Sequence, residues 1–341
     1  MTISSFPEPS IFHASSGEPA LRWGLIGPGW IAGEFVTAVH AHTIQRFTAV
    51  SSRSLDRATA FAAAYGIDAA FGSADEMLAR PDIDVVYIAS PPGAHLAEGL
   101  AAIAAGKHVL IEKPLASNAA EAKTLAEAAR SAGVLLMEAM WSRYLPQASV
   151  IRSLLDDGVF GDIHAVLADH NQAINPEPDH RLSRSDLGGG ALLDLGIYPV
   201  QFASLVLGVP TRVTAVGGFS ATGVDEYASM ILTHEGGALS TLTTSMITRT
   251  PNSAEIAGSE AHLALAPTFF TPTTLTLSDN THDGTELHWD DPTGLRGFAA
   301  LSWEATALAT FVGEGRTESP VHTLDETVSI LSILDSARDQ L

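Results

Sequence analysis

The sequence predicts an α/β Rossmann-type domain, built on a doubly wound parallel sheet, followed by an α+β domain with a large, mostly antiparallel open sheet. Three observations point there. From Leu21 to about Met140, short apolar runs alternate with Ala-rich amphipathic stretches, the pattern of parallel βαβ units. After about Tyr144 the texture changes to Thr- and Val-rich strands separated by Gly turns. The length of 341 residues, at about 150 residues per domain, leaves room for about two domains. The expected division is a flexible tail over 1–20, a dinucleotide-binding domain over 21–143, and a substrate-binding and oligomerisation domain over 144–341.

In order along the first domain, Arg22 to Ile26 reads as a strand and Trp30 to Val39 as a helix. Phe47 to Val50 is a strand, and the Ala-rich stretch Leu55 to Tyr65 is a helix that Gly66 stops. Val85 to Ala89 is continuously apolar, as expected of a strand buried on both faces. Leu96 to Ala105 is a helix, His108 to Ile111 a strand, Asn118 to Ser131 a helix ended by Gly133, and Val134 to Met137 a strand. In the second domain a helix runs to about Asp156. Strands follow at Ile163 to Ala168, Arg212 to Val216, Ala228 to Thr233 and Ala238 to Met246, with Glu235-Gly236-Gly237 as the hairpin turn between the last two. A helical segment from Gly190 to Leu207 interrupts the strands. Helices at about Leu301 to Val312 and Leu324 to Ala337 close the chain.

Composition excludes several function classes. Hydrophobic residues make up 46% of the chain, enough for sizeable buried cores. With 18 basic and 39 acidic side chains the net charge is −21, the wrong sign for nucleic acid or an anionic membrane. The chain has no cysteine, so disulfides, thiolate metal sites and a cysteine nucleophile are ruled out. That is compatible with a reducing cytoplasm, the expected location. The apolar runs are short against the roughly 20 residues that spanning a membrane takes. The first 20 residues lack a basic start and an apolar core, so they do not read as a secretory signal. His40, His42, His164 and His170 have no carboxylate or cysteine framework at metal-ligand spacing, and all four read as non-ligands.

Gly27-Pro28-Gly29-Trp30-Ile31-Ala32 has the form G-x-G-x-x-A. It follows a strand and opens a helix in a βαβ run, the setting in which that pattern binds a dinucleotide. Gly27 permits the tight turn, Gly29 lets the backbone approach a pyrophosphate, and Ala32 lets helix and strand pack closely. The phosphates would sit on free backbone N–H groups at a helix N-terminus, which lets so acidic a chain take a polyanion. A carboxylate at the end of the second strand would bond the ribose 2′-hydroxyl of NAD. Ser51-Ser52-Arg53-Ser54 stands there instead. Arg53 can pair with a 2′-phosphate and Ser52 can donate a hydroxyl, so the expected cofactor is NADP.

Glu112-Lys113-Pro114 follows the strand His108 to Ile111. Ligands of such sheets bind beyond the carboxyl ends of the strands, which places Lys113 at the cofactor. Asp194 and Tyr198 are four residues apart in a Leu-rich helical segment and so share one face. There they either find polar partners or line a cavity. Trp141 and Arg143, after the last strand of the first domain, are candidates for the cleft between domains, and an indole face suits a sugar ring or cyclic diol.

Together, the glycine turn, Glu112-Lys113-Pro114 and Asp194-x-x-x-Tyr198 resemble the Gfo/Idh/MocA oxidoreductases over essentially the whole chain after the tail. Met137 to Tyr144, the run Gly188 to Val200, and Gly315-Arg316-Thr317-Glu318-Ser319-Pro320 are similar to the branch that holds dihydrodiol and NADP-dependent D-xylose dehydrogenases. Tyr198 stands where many members carry His, and Tyr is usual in that branch. The resemblance implies hydride transfer between a substrate carbinol carbon and a nicotinamide, with Lys113, Tyr198 and Asp194 as catalytic residues. It implies cofactor contacts from Gly27, Pro28, Gly29, Trp30, Ile31, Ser52, Arg53, Ser90, Pro91, His95, Glu112 and Lys113. Substrate contacts fall to Lys113, Trp141, Arg143, Asp194 and Tyr198, and no metal is implied. A free phenol has a pKa near 10; an ammonium nearby would favour phenolate, so Lys113 could tune Tyr198. Asp194 would orient a hydroxyl or Lys113. The expected substrate is a sugar or cyclic diol, and a homodimer or higher homo-oligomer is expected through the second domain's sheet. Ketosugar or anhydrofructose reduction and a non-catalytic NADP-binding sensor on the same fold stand as alternatives.

Overall fold

The computed structural model describes residues 5–280 and 285–341. By contacts the chain forms two compact units. The first comprises Ile11–Tyr144 and Arg296–Val328; the second comprises Leu145–Leu295 and Ser329–Leu341 together with residues 5–10.

The first unit holds a six-stranded parallel sheet. Its elements are β1 (Arg22–Ile26), α1 (Trp30–His42), β2 (Arg46–Ser51), α2 (Leu55–Tyr65), β3 (Ala69–Phe71), α3 (Ala74–Leu78), β4 (Val85–Ile88), α4 (Pro92–Ala104), β5 (His108–Glu112), α5 (Ala119–Ala132) and β6 (Leu136–Ala139). The strand order β3-β2-β1-β4-β5-β6 reverses direction between β1 and β4, and the crevice at such a switch point is where doubly wound sheets bind ligands. Every residue of β4 is buried, as the continuous apolar run requires. Gly66 and Gly133 end their helices in the left-handed conformation, which costs glycine nothing.

The second unit holds an eight-stranded sheet in the order β14-β13-β12-β11-β7-β10-β9-β8. Its elements are α6 (Pro146–Asp156), β7 (Ile163–Asn171), α7 (Ile197–Leu207), β8 (Arg212–Phe219), β9 (Asp225–Thr233), β10 (Leu239–Ser245), β11 (Ala254–Gly258), β12 (Ala261–Leu265), β13 (Leu275–Asp279) and β14 (Glu286–Trp289). All pairs are antiparallel except β7 with β10. The hairpin between β9 and β10 turns through Gly236 and Gly237, both at positive φ. Strands β11 to β14, together with β3, were not among the strands expected. The last two helices are α8 (Ser302–Gly313) and α9 (Leu324–Arg338).

Three expectations are corrected. Residues 296–328 belong with the parallel sheet, not with the second domain. The cause is a set of contacts made by that return segment: Glu318 forms a β-bridge with Leu136, the first residue of β6, Arg130 pairs with Glu318, and His322 pairs with Glu138. The tail over 1–20 is not loose throughout. The Phe12 ring lies 6.2 Å from Tyr144 and 5.5 Å from Phe311, and Glu18 is buried, accepting from the Ser15 and Ser16 backbone N–H groups. Finally, Ser185–Leu207 is long and apolar enough to cross a membrane by length and composition, but 72% of its most apolar window is buried inside the protein, as in a core helix.

Candidate functional site

In the first unit, Gly27 adopts φ +86° and a Cβ there would stand 2.6 Å from the Ser90 backbone nitrogen. Only glycine fits both demands. Gly29 is the N-cap of α1, and the nearest atom to a Cβ built on it is 4.0 Å away. The space beside Gly29 is therefore open, no side chain caps α1, and a helix N-terminus favours an anion. Ala32 is fully buried, and Gly29 and Trp30 are exposed while Pro28 and Ile31 are half-buried. A dinucleotide pyrophosphate fits this cradle. At the end of β2, Ser51 is buried, Ser52 half-buried and Arg53 exposed. The Ser54 hydroxyl caps α2 by accepting from the Arg57 N–H.

Beyond β4 and β5, the Ser90 hydroxyl donates to Glu98, whose carboxyl is raised by burial against the lowering effect of that bond. Pro91 is the N-cap of α4. His95 is fully buried. Its Nδ1 lies 3.0 Å from the Pro114 carbonyl and its Nε2 2.8 Å from the Ser90 carbonyl. A neutral imidazole donates to one of these at a time, and burial pushes its pKa down. His95 ties the loop after β4 to the loop after β5. Glu112 is also buried; it accepts from the Tyr87 hydroxyl and, at 3.2 Å, from the Lys113 N–H, bracing the backbone at Lys113. The Lys113–Pro114 peptide is cis.

Trp141 is 5% exposed and stacks on Phe298 at 6.0 Å, while the exposed Trp30 meets Phe298 edge-on at 5.1 Å. Sequence reasoning missed Phe298, whose only signal was an aromatic beside a Gly in a loop. Arg143, expected at substrate, is 1% exposed. It pairs with Glu326 at 2.6 Å, in a network where His322 bonds Glu138 at 2.8 Å and Glu326 at 3.3 Å. The buried guanidinium thus has a carboxylate partner in Glu326. Glu304, near Glu112 and Glu138, is fully buried; burial first and those two carboxylates second hold its pKa well above the carboxylate range.

In the second unit, Asp194 lies in a π-helical turn, Leu192–Gly196, that leads directly into α7. Such turns recur at functional sites because the wider backbone re-aims side chains. Asp194 accepts from Arg181 at 3.0 Å, a partner the sequence did not suggest because it lies on a separate loop. Tyr198, 7% exposed, packs its ring at 4.6 Å from Phe270 and 5.2 Å from His170. Asp225 accepts the Leu192 N–H at 2.6 Å. The carboxylate and the phenol thus lie on one short segment, with the π turn in place of the regular helix that the shared-face expectation assumed. Lys113 lies in the first unit.

No group of three or more His, Asp or Glu side chains among the described residues could hold a metal.

Residues 21–140 match the oxidoreductase family with an NAD-binding Rossmann fold, Gfo/Idh/MocA, and residues 149–264 match that family's C-terminal domain. The chain is 35% identical over 323 residues to trans-1,2-dihydrobenzene-1,2-diol dehydrogenase of Mus musculus, covering 94% of this chain and 96% of that one. It is 35% identical over 326 residues to the enzyme of the same name from Xenopus laevis, covering 94% and 98%. Among solved structures, the 3-ketoreductase KijD10 of Actinomadura kijaniata, in complex with NADP and TDP-benzene, is 30% identical with a TM-score of 0.83, covering 94% of this chain and 98% of that one. Levoglucosan dehydrogenase in complex with NADH shares the fold at a TM-score of 0.85 and 21% identity. With the glycine cradle at the switch point of a β3-β2-β1-β4-β5-β6 sheet, these matches over nearly the whole length settle the lineage: the chain belongs to the Gfo/Idh/MocA family of oxidoreductases.

Proposed function

We propose that this protein is an NADP-dependent dehydrogenase or reductase of the cytoplasm, moving hydride between the nicotinamide and a carbinol or carbonyl carbon of a sugar or cyclic diol. The observation that carries the reading is the open glycine cradle of the first unit; in the second unit Asp194 and Tyr198 stand on one short segment. Relatives about 35% identical over nearly the whole chain are named as dihydrodiol dehydrogenases, which supports the substrate class. Gly27, Gly29 and the N-terminus of α1 would hold the pyrophosphate, and Ser52 and Arg53 the 2′-phosphate. When bound, the nicotinamide supplies or takes the hydride.

The chain's own part is proton traffic and orientation. Tyr198 would take the hydroxyl proton in oxidation and return it in reduction. Lys113, braced through Glu112, would hydrogen-bond the substrate oxygen and favour the phenolate. Asp194, held by Arg181, would orient a neighbouring substrate hydroxyl. Reduction of a ketosugar is the second reading, favoured by the 30% identity to a 3-ketoreductase.

The test follows nicotinamide absorbance over trans-1,2-dihydrobenzene-1,2-diol, aldoses and ketosugars, with NADP and NAD in both directions. Turnover with none of them overturns the enzyme reading and leaves a nucleotide-binding sensor. Tyr198→Phe keeps the ring but removes the acid/base group. It is expected to cost roughly 100-fold or more in kcat while leaving cofactor affinity nearly unchanged. Wild-type turnover in that variant removes Tyr198 from the chemistry.

A further inference from the structure

We propose that His170 is a positioning residue for Tyr198, fixing the phenol through the carbonyl of the π turn. The inference rests on the reading of Tyr198 as the acid/base group. His170 lies in β7 and is 2% exposed. Its Nδ1 is 3.1 Å from the Leu195 carbonyl, which can only accept, so Nδ1 carries the proton. Its Nε2 then has a lone pair, and the Gln172 amide, 2.8 Å away, donates to it. Both ring nitrogens are therefore used, and the tautomer is set from both sides.

The imidazole plane so fixed is part of an aromatic cluster. It lies 4.1 Å from the Phe270 ring, 34° from parallel. It meets the Tyr198 ring at 5.2 Å and 64°, and Tyr198 in turn packs on Phe270 at 4.6 Å. The polar contact and the ring contact act on the same short segment: Leu195 precedes Tyr198 by three residues. A side chain that bonds the backbone of the turn and also walls the ring leaves the phenol little freedom to swing. Phenylalanine at this position would wall the ring equally well, so the imidazole is explained by the bond to Leu195 rather than by packing. Thr244 of the neighbouring strand β10 places its hydroxyl 3.2 Å from the His170 carbonyl and 3.3 Å from the Ala191 carbonyl, donating to one of them at a time.

Misplacing a reacting group by about 1 Å can cost about 100-fold in rate. The test compares His170→Phe, which keeps the ring wall and loses the bond to Leu195, with His170→Asn, which restores a donor near the Nδ1 position. Gln172→Leu, at an exposed site, removes the donor that sets the tautomer without threatening the fold. With trans-1,2-dihydrobenzene-1,2-diol and D-xylose as probes, His170→Phe should lower kcat by roughly 10- to 100-fold and leave the KM for NADP unchanged. His170→Asn should recover part of the loss, and Gln172→Leu should give a smaller loss of the same kind.

A second readout needs no turnover. The ultraviolet signal of tyrosine ionisation, isolated as the difference from Tyr198→Phe, should titrate at a different pH in His170→Phe than in wild type. An unchanged titration together with an unchanged kcat overturns the positioning role. If Tyr198→Phe retains turnover while the titration still moves, the acid/base reading fails and the positioning of the ring by His170 stands.

Discussion

Ser52 and Arg53 follow the last residue of β2, and no carboxylate stands among Ser51 to Ser54 to repel a 2′-phosphate. Arg53 is exposed, so its guanidinium is available for charge-assisted bonds, each worth about 1.5–3 kcal/mol, or on the order of 10- to 100-fold in affinity. Arg53→Ala should weaken NADP by that factor and leave NAD nearly unchanged. Ser52→Asp should go further, repelling the phosphate and offering the NAD ribose an acceptor. Fluorescence titration of each variant with both cofactors checks this, and equal weakening of both by Arg53→Ala makes the residue structural. The glycine turn from β1 into α1 was legible because its chemistry is local. The partners of His95 and Arg143 were not, because which buried carbonyl or carboxylate a polar side chain meets depends on what the chain brings back from far away. Glu326, which pairs with Arg143, lies more than 180 positions along the chain.

At the scale of elements, the turn from β1 into α1 and the return segment 318–327 make contrasting demands. Gly27→Ala puts a Cβ at φ +86° and 2.6 Å from backbone. Gly66→Ala meets φ +67° but nothing within 4 Å, so it carries only the conformational cost of about 1 kcal/mol. Chemical denaturation should show Gly27→Ala clearly the more damaging, with NADP and NAD weakened alike; equal damage from the two removes the close approach from the account. In the return segment, burial lowers the His322 pKa but the bonds to Glu138 and Glu326 outweigh it, and the net shift is upward. Burial raises Glu326, yet His322 and Arg143 bring it down to about 2. The raised histidine contributes its full stability below its unfolded value of about 6.5 and loses it as pH rises through the folded value. The depressed carboxyl contributes above its unfolded value of about 4.3 and loses that as pH falls toward 2. His322→Gln should therefore destabilise most between about pH 5 and 6.5 and progressively less above. Denaturation midpoints across that range check it, and a gap that does not narrow with rising pH shows that His322 is neutral in the fold. The same scale shows why some strands were invisible. β1, β2 and β4 to β6 announce themselves as buried apolar runs, and β9 and β10 as alternation around a Gly-Gly turn. β3 is three residues long, and β11 to β14 are short strands with Ala, Thr, Ser and His on their half-exposed positions, so their identity comes from pairing with neighbours rather than from their own pattern.

For the whole molecule, the second unit's sheet presents an unusual surface to solvent. Val216 is 68% exposed, Ile231 46%, Tyr227 45%, and Leu239 and Leu167 43% each; within their strands Leu167, Ile231 and Leu239 are flanked only by buried residues. The register sets Thr214 and Thr241 on either side of Ile231, so the apolar side chains are interleaved with threonines, and the carboxylates Asp169 and Glu255 stand on the β7 side of the patch. An exposed apolar patch of this kind marks an interaction site. We propose that a second copy of the chain covers it about a two-fold axis. A stable interface of ordinary size takes about 800 Å² from each partner, which four adjacent strands can supply. Each chain carries a net charge of −21, so long-range repulsion opposes pairing and an apolar contact must overcome it. The salt dependence then has a definite sign: screening weakens the repulsion, and the dimer should tighten as salt rises, whereas an interface held by ion pairs would loosen. Light scattering should give twice the 35.7 kDa chain mass at micromolar concentration. Ile231→Asp with Val216→Asp should return the monomer mass, because two buried carboxylates without partners are expelled to water. A wild-type protein that scatters as a monomer at every salt concentration overturns the pairing, and a dimer that survives both substitutions moves the interface to another face.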